Sequence, residues 1–207
     1  MGKRGYLNED LEFKLFQRLN GDAAEMYKRR CAICGRRQFR FVFPPKEVEV
    51  EIWMWYKICW KCGKVTPVVW TSPYSVVGGF NVDPNDFKEF PKKISEVYPF
   101  FKPIYSKTMD KYVYGNVCVN CGAYQGNWFI REEILEMAYK PSEIIEKRKI
   151  KVSLTEEERL ERAIPEEVLK LEKHHISYNP EKTIFVCRSC HRRIHCTNDF
   201  PHLKQGG

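Results

Sequence analysis

The apolar positions of this chain follow one period and then another. Near the N-terminus Leu11, Leu15 and Leu19, with Phe16 beside them, recur at helical spacing behind a capping candidate at Asn8, which predicts a helix over 8–19. Gly21-Asp22 breaks it, and residues 23–30 predict a second short helix. From Phe39 the period becomes two. Residues 39–43 predict a strand, Pro44-Pro45 interrupts, and from Glu47 the glutamates alternate with Val48, Val50 and Ile52, as in a half-buried strand. Residues 65–70 predict another. Residues 71–105, rich in Pro, Gly and aromatics, predict irregular structure with one helical candidate over 83–89. Gln125 to Ile130 reads as a returning strand. From Arg131 to Lys173 acids and bases interleave, which predicts solvated helices over 131–140, 142–150 behind Pro141, and 155–163 behind a capping box of Thr155 and Glu158. Pro165 opens a further turn, and the terminal 204–207 should fray.

Composition narrows the class. The chain has 207 residues, room for one domain or two small ones, and its 43% hydrophobic content supports real cores. No apolar run reaches the roughly 18 residues a membrane helix needs. The opening Met-Gly-Lys-Arg-Gly-Tyr leads into a charged amphipathic segment and not into an apolar signal core. Lys and Arg number 35 against 27 Asp and Glu, a net +8 that favours a polyanionic partner over an acidic or membrane-spanning role.

Eight of the nine cysteines fall into Cys-x-x-Cys pairs: Cys31 with Cys34, Cys59 with Cys62, Cys118 with Cys121, and Cys187 with Cys190. A zinc knuckle needs two thiolates on one tight turn, whereas a secreted disulfide scaffold rarely spaces them so. Glycine follows three of the pairs, as such a turn requires. Four pairs supply two structural zinc ions, each with four thiolates, and imply a reducing compartment, which we take to be the cytoplasm. Cys196 is left over as a packing residue.

The densest chemistry lies in residues 171–195, which hold four of the five histidines. A strand over 169–176 ends in His174-His175, the turn Tyr178-Asn179-Pro180 follows, and a second strand covers 183–186. The last Cys-x-x-Cys then opens a helix carrying His191 and His195, four apart and therefore on one face. Neighbours in a strand point to opposite sides, so one of His174 and His175 can join the helix histidines on a metal while the other faces away.

Residues 169–198 resemble the core of the HNH nucleases, the ββα-metal fold, whose members often carry a structural zinc. The resemblance implies that His174, His191 and His195 hold a catalytic divalent cation (Mg²⁺, Mn²⁺ or Zn²⁺) and that His175 is the general base. A neutral imidazole can take a proton from water at physiological pH. The family's middle asparagine usually lies about nine residues before the helix histidine, where Lys182 stands here. Arg188, Arg192 and Arg193 ring the knuckle and would meet phosphate. The implied activity is phosphodiester hydrolysis in DNA, more than in RNA; the alternative is a non-catalytic zinc protein that binds either.

Two pairings of the knuckles stay open. The spacing of Cys34 and Cys59 suits a sequential scheme, 31/34 with 59/62 and 118/121 with 187/190. Lys28-Arg-Arg-Cys-Ala-Ile-Cys-Gly-Arg-Arg37, however, resembles the knuckle that opens zinc-containing HNH domains. That favours nesting, 31/34 with 187/190 around 59/62 with 118/121. The expected fold is α+β, a small treble-clef or ββα-metal domain with a zinc-ribbon-like insertion. Its expected parts are N-terminal helices and first knuckle (1–45), ribbon (46–131), charged helical connector (132–168) and HNH-like core (169–207).

Overall fold

The computed structural model describes residues 9–178 and 181–203; the cap at Asn8, the Asn179-Pro180 turn and residues 204–207 lie outside the described residues. In chain order the first elements are α1 (Glu9–Arg18), α2 (Gly21–Lys28), β1 (Phe39–Val42), β2 (Glu47–Ile58), β3 (Val65–Thr71), β4 (Val76–Val77), β5 (Phe80–Asn81) and α3 (Phe90–Val97). Then come β6 (Phe101–Ser106), β7 (Lys111–Asn116), α4 (Asn127–Met137), β8 (Ile144–Ser153) and α5 (Glu156–Glu161). The chain closes with β9 (Ile164–Glu167), β10 (Leu171–Tyr178), β11 (Glu181–Cys187) and α6 (Arg188–Cys196). This is a mixed α+β protein in two compact units, one of residues up to Phe43 and from Ala163 onward, the other of Pro44 to Arg162.

In the first unit β1 pairs antiparallel with β9, from Phe39 opposite Glu167 to Val42 opposite Ile164. This pairing joins the two distant stretches of chain. The leucine stripe of α1 is core, with Leu11 and Leu15 buried; buried Tyr27 and Phe41 have rings 5.7 Å apart, and exposed Phe16 lies 5.3 Å from Tyr27 at the edge. The hairpin of β10 and β11 carries α6 directly after it. Val186, Ile194 and the thiols of Cys31, Cys187 and Cys190 form the buried centre beneath it.

The second unit is built on a three-stranded antiparallel sheet ordered β3, β2, β8. Ile130, Ile134 and Met137 of α4 join Trp53, Trp55, Val69 and Trp70 in one core. Asn116, fully buried, substitutes for a neighbouring strand: its side chain accepts from Val69 N at 2.8 Å and donates to Val69 O at 2.9 Å. Such a two-way amide clamp satisfies a backbone edge that would otherwise be buried unpaired.

Four expectations need correction. Residues 142–150 are not an α-helix: Pro141–Glu143 make one 3-10 turn and Ile144–Ser153 form β8, so the connector expected to be helical over 132–168 is helix only in α4 and α5. The alternating charges of β8 sit opposite β2, with Lys151 across from Glu49, Lys149 from Glu51 and Lys147 from Trp53. A ladder of opposite signs stabilises strand pairing, so interleaved charge served a sheet here. Pro165, expected to open a turn, sits inside β9 opposite Phe41, in a two-stranded sheet. The strand expected at 125–130 is the start of α4, because Gly126 (φ 74°) redirects the chain and Phe129 folds back against it. The helical candidate at 83–89 shrinks to a single turn, Pro84–Asp86, and α3 begins at Phe90 with Pro91 in its first turn. The capping box at Thr155 and Glu158 is present as read.

Candidate metal centres

Three of the knuckles are the same loop. In each, the glycine amide donates to the carbonyl of the first cysteine: Gly35 to Cys31 at 3.0 Å, Gly63 to Cys59 at 3.0 Å, Gly122 to Cys118 at 2.8 Å. The first cysteine in turn donates its amide to the residue after the glycine, Arg36, Lys64 or Ala123, at 2.9 Å. The loop closes only if the glycine is left-handed, and all three have φ between 67° and 70°. The fourth pair, Cys187 and Cys190, is instead carried on the first turn of α6.

These loops assemble into two four-cysteine clusters, Cys31, Cys34, Cys187 and Cys190 in the first unit and Cys59, Cys62, Cys118 and Cys121 in the second. The nested pairing is therefore the one adopted, and the sequential scheme favoured by the 34-to-59 spacing is not. The β1–β9 pairing supplies the reason, since it brings the first knuckle to the last. Facing sulfurs are 3.9 Å apart between Cys34 and Cys187, and 3.7 Å apart between Cys59 and Cys121 and between Cys62 and Cys118. A tetrahedral zinc with Zn–S bonds of 2.3 Å sets its sulfurs about 3.8 Å apart, so both clusters fit the ion.

The surroundings fit thiolates as well. Arg36 donates from Nε to Cys34 Sγ at 3.3 Å and from Nη2 to Cys187 Sγ at 3.4 Å. The Cys187 amide donates to Cys31 Sγ and the Gln125 amide to Cys59 Sγ, both at 3.4 Å. Four thiols this close do not share one charge state without a cation between them. The Arg36 hydrogen bond brings Cys34 down to about 6, while burial pushes Cys190 up to about 12. A bound zinc resolves that conflict by taking four thiolates.

A third group, of imidazoles, lies in the first unit. His174 on β10 and His191 and His195 on α6 have ring centroids 5.1, 5.1 and 5.0 Å apart, and their nearest nitrogens could share one ion. His174 is 2% exposed, and its Nε2 donates to the Leu203 carbonyl at 2.9 Å, which leaves Nδ1 as its free lone pair. Glu172 accepts from His191 Nδ1 at 2.7 Å, leaving Nε2 for a metal. That contact is the main cause holding the Glu172 carboxyl below its ordinary pKa. His195 is exposed, so the centre opens to solvent on its side. His175, the next residue of β10, pairs with Thr183, and its Nδ1 lies 3.5 Å from Glu181 Oε1. After a register shift between His175 and Ser177, Lys182 stands opposite Ser177.

The three arginines named from sequence do not behave alike. All three are exposed, but Arg193 pairs with Asp199 at 2.8 Å and lies 5.1 Å from the Phe200 ring. Sequence reading missed Glu172, Arg36 and the Leu203 carbonyl. Period two would have found Glu172, two residues before His174 and so on the same strand face. No local signal marks the other two.

Comparison with protein-family models, with curated proteins and with solved structures found no match. Among the described residues no helix is long and apolar enough to cross a membrane.

Proposed function

We propose that the chain is an HNH-like endonuclease that hydrolyses phosphodiester bonds in DNA. Its first unit is read as a ββα-metal domain with a treble-clef knuckle, and its second as a zinc-ribbon-like insertion. The observation that carries this is the triangle of His174, His191 and His195, braced by Glu172, on a hairpin and helix that share a cysteine cluster. A divalent cation bound there supplies a Lewis acid and a template for the scissile phosphate. The tautomers favour it, because Leu203 and Glu172 occupy the other nitrogens of His174 and His191. His175 acts as general base, its Nε2 taking the proton of the attacking water, with Glu181 Oε1 3.5 Å from Nδ1. Exposed Arg188 and Arg192 hold the neighbouring phosphates.

A second reading, a non-catalytic zinc protein that binds DNA or RNA, is favoured by Lys182 at the place of the family's asparagine. A cleavage assay separates the two. Plasmid DNA and a structured RNA are incubated with Mg²⁺, Mn²⁺ or Zn²⁺, with and without EDTA. The nuclease reading expects DNA cleavage that EDTA abolishes. It also expects a loss of roughly 10²–10⁴-fold in His175→Ala with zinc content unchanged. No cleavage with any ion leaves the binding reading in its place.

A further inference from the structure

We infer that the first knuckle, through Arg29 and Arg30, is a second contact for the backbone of duplex DNA, continuous with Arg188 and the histidine centre. The inference rests on the nucleic-acid reading above and extends it to a segment some 160 residues away in sequence.

Charge is the first observation. The unit of residues 1–43 and 163–207 holds 17 Lys and Arg against 10 Asp and Glu, whereas residues 44–162 hold 18 against 17. Nearly all of the net +8 thus belongs to the unit that carries the histidines, and a polyanion is drawn to that unit. Ion pairing thins the cations available there. Glu12 takes Arg37, Glu166 takes Arg40, Glu25 takes Lys28, Glu181 takes Lys173 and Asp199 takes Arg193. Arg36 is committed to the thiols of Cys34 and Cys187. Among the described residues, Arg29, Arg30 and Arg192 are exposed and have no acidic side chain within ion-pair distance.

Position is the second observation. The Ala32 amide donates to the Phe185 carbonyl at 2.9 Å and the Cys187 amide to Cys31 Sγ at 3.4 Å, so the first knuckle is stitched to the end of β11. Arg30, one residue before Cys31, and Arg188, one residue after Cys187, therefore flank the same pair of thiols. Arg188 is the first residue of α6, the helix that carries His191 and His195, and Glu172 on β10 holds His191. The Ala32 and Cys187 contacts set the backbone at Arg30 beside the strand end from which Arg188 leads into the histidine-bearing helix. The backbone at Arg29 is fixed by the Gln38 amide on its carbonyl at 2.9 Å, and Arg30 is bridged to Arg37. Their side chains sit on an ordered frame, which limits the entropy lost on meeting phosphate.

The test is the salt dependence of duplex binding by the full zinc-loaded chain, read by fluorescence anisotropy on two unrelated sequences. Each phosphate contact contributes about 0.9 to the slope of log K against log salt. Arg29→Ala with Arg30→Ala should flatten the slope by about 1.8 on both duplexes, with zinc content unchanged, and Arg29→Gln with Arg30→Gln should do the same. Arg193→Ala, whose partner is Asp199, should leave the slope unmoved. If both Arg29/Arg30 variants bind with the wild-type slope while Arg188→Ala with Arg192→Ala flattens it, the inference falls and the DNA reading stands. If the wild type binds no duplex at low salt, or binds only anionic vesicles, the DNA reading falls and the inference with it.

Discussion

Glu172 and Arg36 each decide the state of a neighbour they do not resemble. Glu172 accepts the Nδ1 proton of His191 at 2.7 Å and so fixes which nitrogen is free for a metal. Partners of this kind raise ligand basicity and hold the ring, and their loss typically costs 10–100-fold in metal affinity. Glu172→Gln should therefore weaken binding of Mn²⁺ or Co²⁺ at the histidine centre by that factor, as read by calorimetry on zinc-replete protein. An affinity equal to wild type would remove Glu172 from the site. Arg36 does the comparable work for sulfur, spanning two thiols from opposite ends of the chain with one planar guanidinium. A lysine there has no fork to reach both.

Among the elements, β8 and α5 show opposite relations between charge and structure. In β8, lysines on one strand meet glutamates on the next, and Lys149 pairs with Glu49 at 3.0 Å. In α5 one carboxylate instead serves backbone amides near and far: Glu158 accepts from the Thr155 amide at 2.7 Å and from the Lys88 amide at 2.8 Å while buried at 5% exposure. Burial alone would push this carboxyl up, but the amides outweigh it and its pKa lies below the ordinary value. A carboxylate depressed on folding stabilises above its unfolded pKa, roughly 4.3, and that stability fades as pH falls through the lower folded value. Glu158→Gln should accordingly cost about 1 kcal/mol at pH 7. The gap to wild type should close on acidification below pH 4, followed by urea unfolding at several pH values. A gap that is constant with pH would mean that the carboxylate's charge is irrelevant to the cap.

For the whole molecule the consequence of nesting is that metal and topology are linked. Cys31 and Cys187 are separated by the entire second unit in sequence yet share one cluster. Native mass spectrometry should find two zinc ions on the cysteines of each chain. Cys31→Ser should release one of them and loosen the hairpin and helix that carry the histidines, because Cys31, Cys187 and Cys190 are part of that buried centre. The ion on Cys59, Cys62, Cys118 and Cys121 should stay. If the substitution empties that cluster instead, the nested arrangement is wrong.

What is local was legible in the order of residues alone. Cys-x-x-Cys-Gly specifies a knuckle because only glycine closes the loop at positive φ, and period two specifies β2 because its alternate residues meet core and solvent. The four-residue spacing of His191 and His195 and the Thr155 capping box were equally readable, each depending on neighbours within one turn. Tertiary structure decided what depends on distant partners. Whether Ile144–Ser153 is a helix or a strand turned on β2 lying alongside with the complementary charges. Which thiols cluster turned on β1 pairing with β9, about 120 residues apart. The tautomer of His174 turned on a carbonyl at Leu203, and the different roles of Arg192 and Arg193 on Asp199. Local spacing fixes which atoms are offered; only the folded chain fixes which of them meet.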